Sequence, residues 1–260
     1  MSRYLLGLFF LIFFLNIFCL DMVLITPTDN TISPFYVSNT PITQQLYEDI
    51  MHANLSLFKG ENLPVERVSW YEALAFCNLL SISHGLEPVY IYHHRYDQRD
   101  NGSKDVHEWI KMWGRIPSHR VATWNKIYPD TTANGFRLLS SYEWDYLYNT
   151  LDQKVLKDIE DFAWIYTNSA EKTHPVAQKS QDNHGLYDFL GNVKEWLCDD
   201  VGMLPKKYFI YQNSEQEAFY NRLASQKFIQ KDFMVIPDER GLNRVMRSHL
   251  IGIRVARNEK

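Results

Sequence analysis

Two serine-led quartets fix where helices begin in this chain, and they constrain its fold more than any other feature. In Ser69-Trp70-Tyr71-Glu72 the hydroxyl can accept from the amide three residues on, while Glu72 reaches back to the amide of Ser69. That reciprocal arrangement is a capping box. Leu74, Cys77 and Leu80 follow at helical spacing, and Gly85 suits a left-handed stop. Ser140-Ser141-Tyr142-Glu143 repeats the device and opens a second helix, with Trp144 and Leu147 on its inner face. A third, weaker helical pattern runs near Glu215 to Phe228. Strand-like stretches are short, as in Phe35-Tyr36-Val37 and Ile251 to Val255. No repeat or Pro/Gly/Ser linker divides residues 21–260. Two good helices among short strands and long aromatic-rich loops predict one α+β domain. An aromatic content of 15% makes such a loop-rich core feasible, because each buried aromatic removes about 150–250 Å² from water.

Residues 1–20 read differently. Arg3 supplies a positive start, Leu5 to Leu15 is almost unbroken Leu, Phe and Ile, and the first acid is Asp21. This pattern predicts a secretory signal. An uncleaved membrane anchor and lipid attachment at Cys19 remain open as alternatives, and on every one of them the fold lies outside the cytoplasm, in the periplasm or at the cell surface. Association with a membrane would run through this N-terminus. The net charge is -4 with no basic block, which excludes nucleic acid as a partner, since that affinity rests on clustered Lys and Arg at phosphates. Beyond Cys19 only Cys77 and Cys198 remain, both among apolar residues. At most one internal disulfide is possible, and a buried thiol is expected at each position.

Seven stretches, in order, resemble the formylglycine-generating-enzyme (sulfatase-modifying factor) family. Met22-Val23-Leu24-Ile25 stands where that family begins its first strand, and Phe35-Tyr36-Val37 through Ile42-Thr43-Gln44 is similar to the segment that follows. Asn62-Leu63-Pro64-Val65 with Val68-Ser69-Trp70-Tyr71-Glu72-Ala73 and Phe76-Cys77-Asn78 resembles its "P-V-x-x-V-S-W-x-x-A-x-x-F-C" helix, followed by Gly85 to Tyr90. Asn134-Gly135-Phe136-Arg137-Leu138-Leu139-Ser140, ending in Glu143-Trp144, is similar to "G-x-R-L-P-T-E-x-E-W". His174-Pro175-Val176 and the block Gly185 to Trp196, with Gly191-Asn192-Val193-Lys194-Glu195-Trp196 at its end, match the family's most diagnostic region. Ile251-Gly252-Ile253-Arg254-Val255-Ala256 resembles its closing "G-F-R-x-A" strand. The resemblance implies a C-type-lectin-like fold, two main helices flanking small twisted antiparallel sheets. Trp144 and Trp196 then serve as core anchors, and Arg137 needs a partner such as Glu143 or Glu195.

The same resemblance bears on chemistry. Family members that make formylglycine hold copper on two cysteines of a long segment before the closing strand. Here Arg244 to Arg247 looks like the start of that segment and Ile251-Gly252 like its end, with Ser248-His249-Leu250 alone between them and no cysteine after Cys198. Copper and catalytic residues are therefore not expected, and residues 201–241 match nothing in the family. A calcium site is carried across by the family's Gly-Asn-Val block: the side chains of Asp188 and Glu195 with the carbonyls of Gly191 and Val193. Carboxylates and carbonyls are the hard oxygen donors that Ca²⁺ prefers. If no metal binds there, Glu195 is expected to pair with Arg137 or an amide.

His93, His94 and His107 invite a zinc reading, but adjacent histidines on an extended segment point to opposite faces, so a solvated loop is expected. Asp97, Asp100 and Asn101 near Gly102 miss the EF-hand spacing and read as a turn. The expected function is an exported, non-catalytic binding or structural module of the cell envelope with a protein or glycan ligand. A sulfatase-modifying oxidase is the alternative.

Overall fold

The computed structural model describes residues 20–28, 32–92, 102–113, 127–198, 247 and 249–259. The expected helix near 215–228, His93, His94, and the Asp97–Asn101 turn lie outside them. Both capping boxes form. Ser69 caps α2 (Trp70–Ser83), and Glu72 returns to the Ser69 amide at 2.8 Å. Ser140 caps α4 (Ser141–Asn149), with Glu143 on the Ser140 amide, also at 2.8 Å. Helix α2 stops as its sequence predicts. Gly85 takes φ +66°, its amide donates to Ile82, and Leu86 donates to Ser81 at 2.9 Å, the paired bonds of a Schellman motif.

Among the described residues, four further helices lack a comparable signal in the sequence: α1 (Gln44–Met51), α3 (Val106–Trp113), α5 (Gln153–Lys157) and α6 (Ile159–Phe162). Each is short, and short helices depend on tertiary packing rather than propensity. His107, in the first turn of α3, is exposed. Among the described residues, no helix is long and apolar enough to cross a membrane.

The main sheet joins the two ends of the described chain. Its order is β1 (Met22–Ile25), β2 (Phe35–Ser38), β8 (Val255–Asn258), β5 (Arg137–Leu138), all antiparallel. A hairpin-like pair, β3 (Tyr90–Tyr92) with β4 (Ile127–Pro129), lies apart, and β6 (Lys194–Glu195) runs parallel to β7 (Ile251–Gly252). The stretch from Ile251 to Val255 is thus two strands rather than one. Ile253 and Arg254 separate them, and the ladder breaks where the Arg254 side chain is taken inside.

Strand alternation divides two apolar cores. Leu138 and Val255 face the cluster around α2, while their chain neighbours Leu139 and Ala256 face the cluster around α4. The first cluster gathers Trp70, Phe76, Trp109 and Trp196; the second gathers Phe35, Trp144, Leu147 and Phe189. Both predicted tryptophan anchors are therefore core residues. Helix α2 is buried on nearly every face, including Leu74, Cys77 and Leu80, so it is the axis of its core rather than an amphipathic cover.

Candidate metal centre

The four residues carried across from the family lie on one turn between Asp188 and β6. Asp188 adopts φ +55° and Asn192 φ +64°, left-handed positions that short polar side chains tolerate better than most. Gly191 is required by contact. A Cβ there would meet the carbonyl oxygen of Trp164 at 2.2 Å, and that same carbonyl accepts from the Asn192 amide at 2.8 Å. The Asn192 side chain clamps the neighbouring segment, accepting from the His174 amide and donating to the His174 carbonyl. The Gly191 carbonyl accepts from Val193 N at 2.8 Å. Glu195 then enters β6, held by Lys194 N on Leu250 O and Trp196 N on Gly252 O.

Glu195 does not pair with Arg137. Its partner is Arg254, whose Nε donates to Glu195 Oε1 at 2.9 Å; the two side chains are 0% and 2% exposed. The other Arg254 nitrogens donate to the carbonyls of Ser38 at 2.8 Å and Tyr187 at 2.7 Å. Arg137 instead pairs with Glu143, the nearer of its two expected partners, and Asn258. The reason is topological: Arg137 opens β5 on the α4 side of the sheet, while Glu195 lies on β6, next to the chain that leads into Arg254.

Two carboxylate oxygens at this turn have no hydrogen-bond partner among the described residues. Asp188 Oδ2 accepts from Ala177 N at 2.9 Å and the Asn192 side chain also stabilises this carboxylate, but no hydrogen bond from the described residues reaches Asp188 Oδ1, and Glu195 Oε2 is left over by the one-point contact with Arg254. Asp188 is 1% exposed. Burial pushes both carboxyls above their usual range; Arg254 opposes this in each, and the Asp188 charge raises Glu195 further. A third acid, Asp182, is also pushed up by burial and lies within electrostatic reach of Arg254. Its Oδ1 accepts from the amides of His184 and Leu186, while Oδ2 has no partner. One guanidinium thus serves three buried carboxyls.

Buried anionic oxygens without partners are costly, and their presence fits a hard cation bound by Asp188, Glu195 and main-chain carbonyls. Among the described residues no three His, Cys, Asp or Glu side chains are grouped to hold a metal, so carbonyls would have to complete the shell. Arg254 and Asp182 were both missed in the sequence. Arg254 carried a usable signal, because it stands between Ile253 and Val255 as Arg137 stands between Phe136 and Leu138. Asp182 carried none, its role being set by the turn that follows it.

The cysteines lie elsewhere. Cys77 is fully buried in α2, and burial pushes its thiol up, away from thiolate. Cys198 is half-buried, its amide donating to Leu139 O at 2.8 Å. Neither is in a disulfide.

Comparison with known proteins agrees with this architecture. Chaperone protein LppX of Paenibacillus barcinonensis is 33% identical over 192 residues, 65% of this chain and 63% of that protein; the chain therefore spans less than two thirds of its relative's length. Treponema denticola variable protein 1 superposes with a TM-score of 0.64 at 24% identity, covering 92% of this chain and 95% of the other. CarF superposes with a TM-score of 0.52 at 19% identity, covering 93% and 95%. These two structures establish the fold, which is the α+β, C-type-lectin-like architecture of sulfatase-modifying factors. The family model for the sulfatase-modifying factor enzyme 1-like domain matches residues 25–259, and the chain belongs to that family.

Proposed function

We propose that this chain is an exported, non-catalytic sulfatase-modifying-factor-like module of the cell envelope that binds a protein or glycan, with calcium held at the Asp188–Glu195 turn. The observation that carries the reading is the shortness of the link before the closing strand. Arg247 is fixed to Glu72 at the start of α2 by two hydrogen bonds, one of them 2.9 Å. Four residues later Ile251 is already paired with Lys194. The three residues between hold no cysteine, and Cys77 is spent on the α2 core. Soft Cu(I) favours thiolate pairs, which this stretch does not offer. The leader-like pattern of residues 1–20 supports export to the periplasm or cell surface, and the relative's name, a chaperone, fits a binding role.

Calcium would supply positive charge beside the unpartnered oxygens of Asp188 and Glu195, with the carbonyls of Gly191 and Val193 as further donors. Its part would be structural, joining the turn to β6. The functional reading is tested by incubating the full chain with a Cys-containing sulfatase peptide, copper and oxygen, and measuring the peptide by mass spectrometry. Unchanged peptide is expected. Formylglycine formation would replace the binding module with an oxidase.

A further inference from the structure

The turn that carries the candidate metal ligands also holds the loop beside it, residues 169–177. Two side chains of the turn reach across. Asp188 Oδ2 accepts from the Ala177 amide at 2.9 Å. Asn192 brackets His174, its Oδ1 accepting from the His174 amide at 3.0 Å and its Nδ2 donating to the His174 carbonyl at 2.9 Å. Behind these contacts the loop closes on itself: Lys172 N donates to Ser169 O at 3.3 Å, and His174 Nε2 lies 2.8 Å from the same carbonyl. Two further ties lead elsewhere, Val176 N to Asn62 O at 2.9 Å and the His174 ring stacked on Trp164 at 3.8 Å.

The loop is held in a backbone conformation that its residues do not favour. Among the described residues, seven other than glycine have positive φ, and five of them lie between 170 and 192: Ala170 at +50°, Glu171 at +58°, Ala177 at +58°, Asp188 and Asn192. Aspartate and asparagine tolerate this region by bonding locally, whereas alanine and glutamate gain nothing from it. Such backbone persists where its surroundings impose it, and at Ala177 the contact from the turn is the Asp188 carboxylate. That carboxylate divides its oxygens. Oδ2 holds the loop, while Oδ1 has no hydrogen-bond partner among the described residues, and Asp188 is 1% exposed. A buried anion left half-satisfied is costly, and the cost falls when the turn opens to water and gives up Ala177. A cation on Oδ1 removes that cost while leaving Oδ2 on the Ala177 amide.

We infer that residues 169–177 form a calcium-dependent loop: the cation at the Asp188–Glu195 turn locks them through Asp188 Oδ2 and Asn192, and its removal lets them open. The loop supplies Ser169, Glu171, Lys172 and Thr173 to the lining of a recess shared with Phe58 and His249, so calcium sets the shape of that surface. This deepens the calcium reading and rests on it. The test is amide hydrogen exchange of the full chain, read by NMR in millimolar calcium and in chelator. An amide that exchanges through an opening that releases the ligand gains protection by the factor 1 + [L]/Kd. The His174 and Ala177 amides should therefore exchange at least about tenfold more slowly in calcium. The Thr132 amide, held by Asp130 Oδ1 on a different turn at 2.9 Å, should exchange equally in both. Asn192→Gly, which accepts positive φ and keeps the four ligand residues, should retain the calcium-dependent rise in melting temperature and the protection at Ala177 but lose the protection at His174. A melting-temperature rise in calcium with unchanged exchange at His174 and Ala177 would overturn the loop and leave the calcium site standing. Equal slowing at Thr132 would also overturn it, as a general stabilisation of the fold. No rise and no change in exchange would overturn the loop and the calcium site together.

Discussion

Arg137 and Arg254 approach the same strand, β8, and both are paired with a glutamate, yet the two pairs are built to different ends. Arg137 meets Glu143 as a fork, Nη1 to Oε2 at 2.7 Å and Nη2 to Oε1 at 2.6 Å, while Asn258 accepts from Nε and Nη2 and the Leu138 carbonyl from Nη1. Glu143 is also the return arm of the α4 capping box. Every carboxylate oxygen there has a partner. Arg254 meets Glu195 through one nitrogen and gives the rest of its donors to backbone carbonyls. Deeper in the protein, that pair leaves Glu195 Oε2 over, with Asp188 Oδ1 and Asp182 Oδ2 also unmet. The first pair is closed and structural. The second is a charged centre in which three carboxylate oxygens have no partner among the described residues.

The comparison can be broken most forcefully at the arginines. Arg254→Met should cost about 3–5 kcal/mol, because it strands a buried carboxylate as well as two carbonyls. On a domain of this size that corresponds to a melting-temperature drop of roughly 6–20 °C. Arg137→Met should cost less, since its side chain is 15% exposed and Glu143 keeps the Ser140 amide and hydroxyl as partners. Denaturant titration that ranks the two equally would remove the distinction between a sealed and an unsealed pair.

A finer cut comes from the glutamates. Glu143→Gln gives up one accepting oxygen of a filled fork, and about 1–3 kcal/mol of stability should go with it. Glu195→Gln, measured in chelator, should cost under about 1 kcal/mol, because Oε2 has no protein partner to lose and the change removes surplus negative charge. A larger loss at Glu195 than at Glu143 in chelator would mean that Oε2 is engaged after all.

What the sequence makes legible follows from how local each signal is. The capping boxes at Ser69 and Ser140 and the stop at Gly85 involve residues within a few positions of one another, and all three form. The tryptophans at 144 and 196 were legible because large aromatics near motif ends have few alternatives to burial. Pairing across distance was not. Glu195 and Arg254 are 59 residues apart, and no spacing in the sequence says that β6 will lie beside β7 rather than beside Arg137. The turn at Asp188, Gly191, Val193 and Glu195 was found through the family pattern alone; its unpartnered oxygens are visible only in three dimensions.

The smallest expected effect is kinetic and leaves stability unchanged. Cys77, fully buried and shifted away from thiolate, should resist thiol reagents in the native state until the protein opens. Cys198, half-buried, should react sooner but still slowly. Fast labelling of both thiols in the folded chain would mark an accessible thiol pair and weaken the non-catalytic reading.

The account turns on whether the incomplete centre is completed by calcium, and a thermal melt in calcium against chelator asks this most directly. A ligand that binds only the native state adds about 2.7 kcal/mol at a hundredfold excess over its dissociation constant, or roughly 5–11 °C here. Millimolar calcium should give a rise of that order. Magnesium should give much less, because its tight octahedral shell suits a carbonyl-lined turn poorly. Asp188→Asn, which keeps the left-handed backbone but drops the charge, should abolish the rise, while Glu143→Gln should keep it in full. Superimposable melts in calcium and chelator, from protein shown to be folded, would contradict the account and leave Asp188 Oδ1 and Glu195 Oε2 as oxygens held without partners by the fold alone.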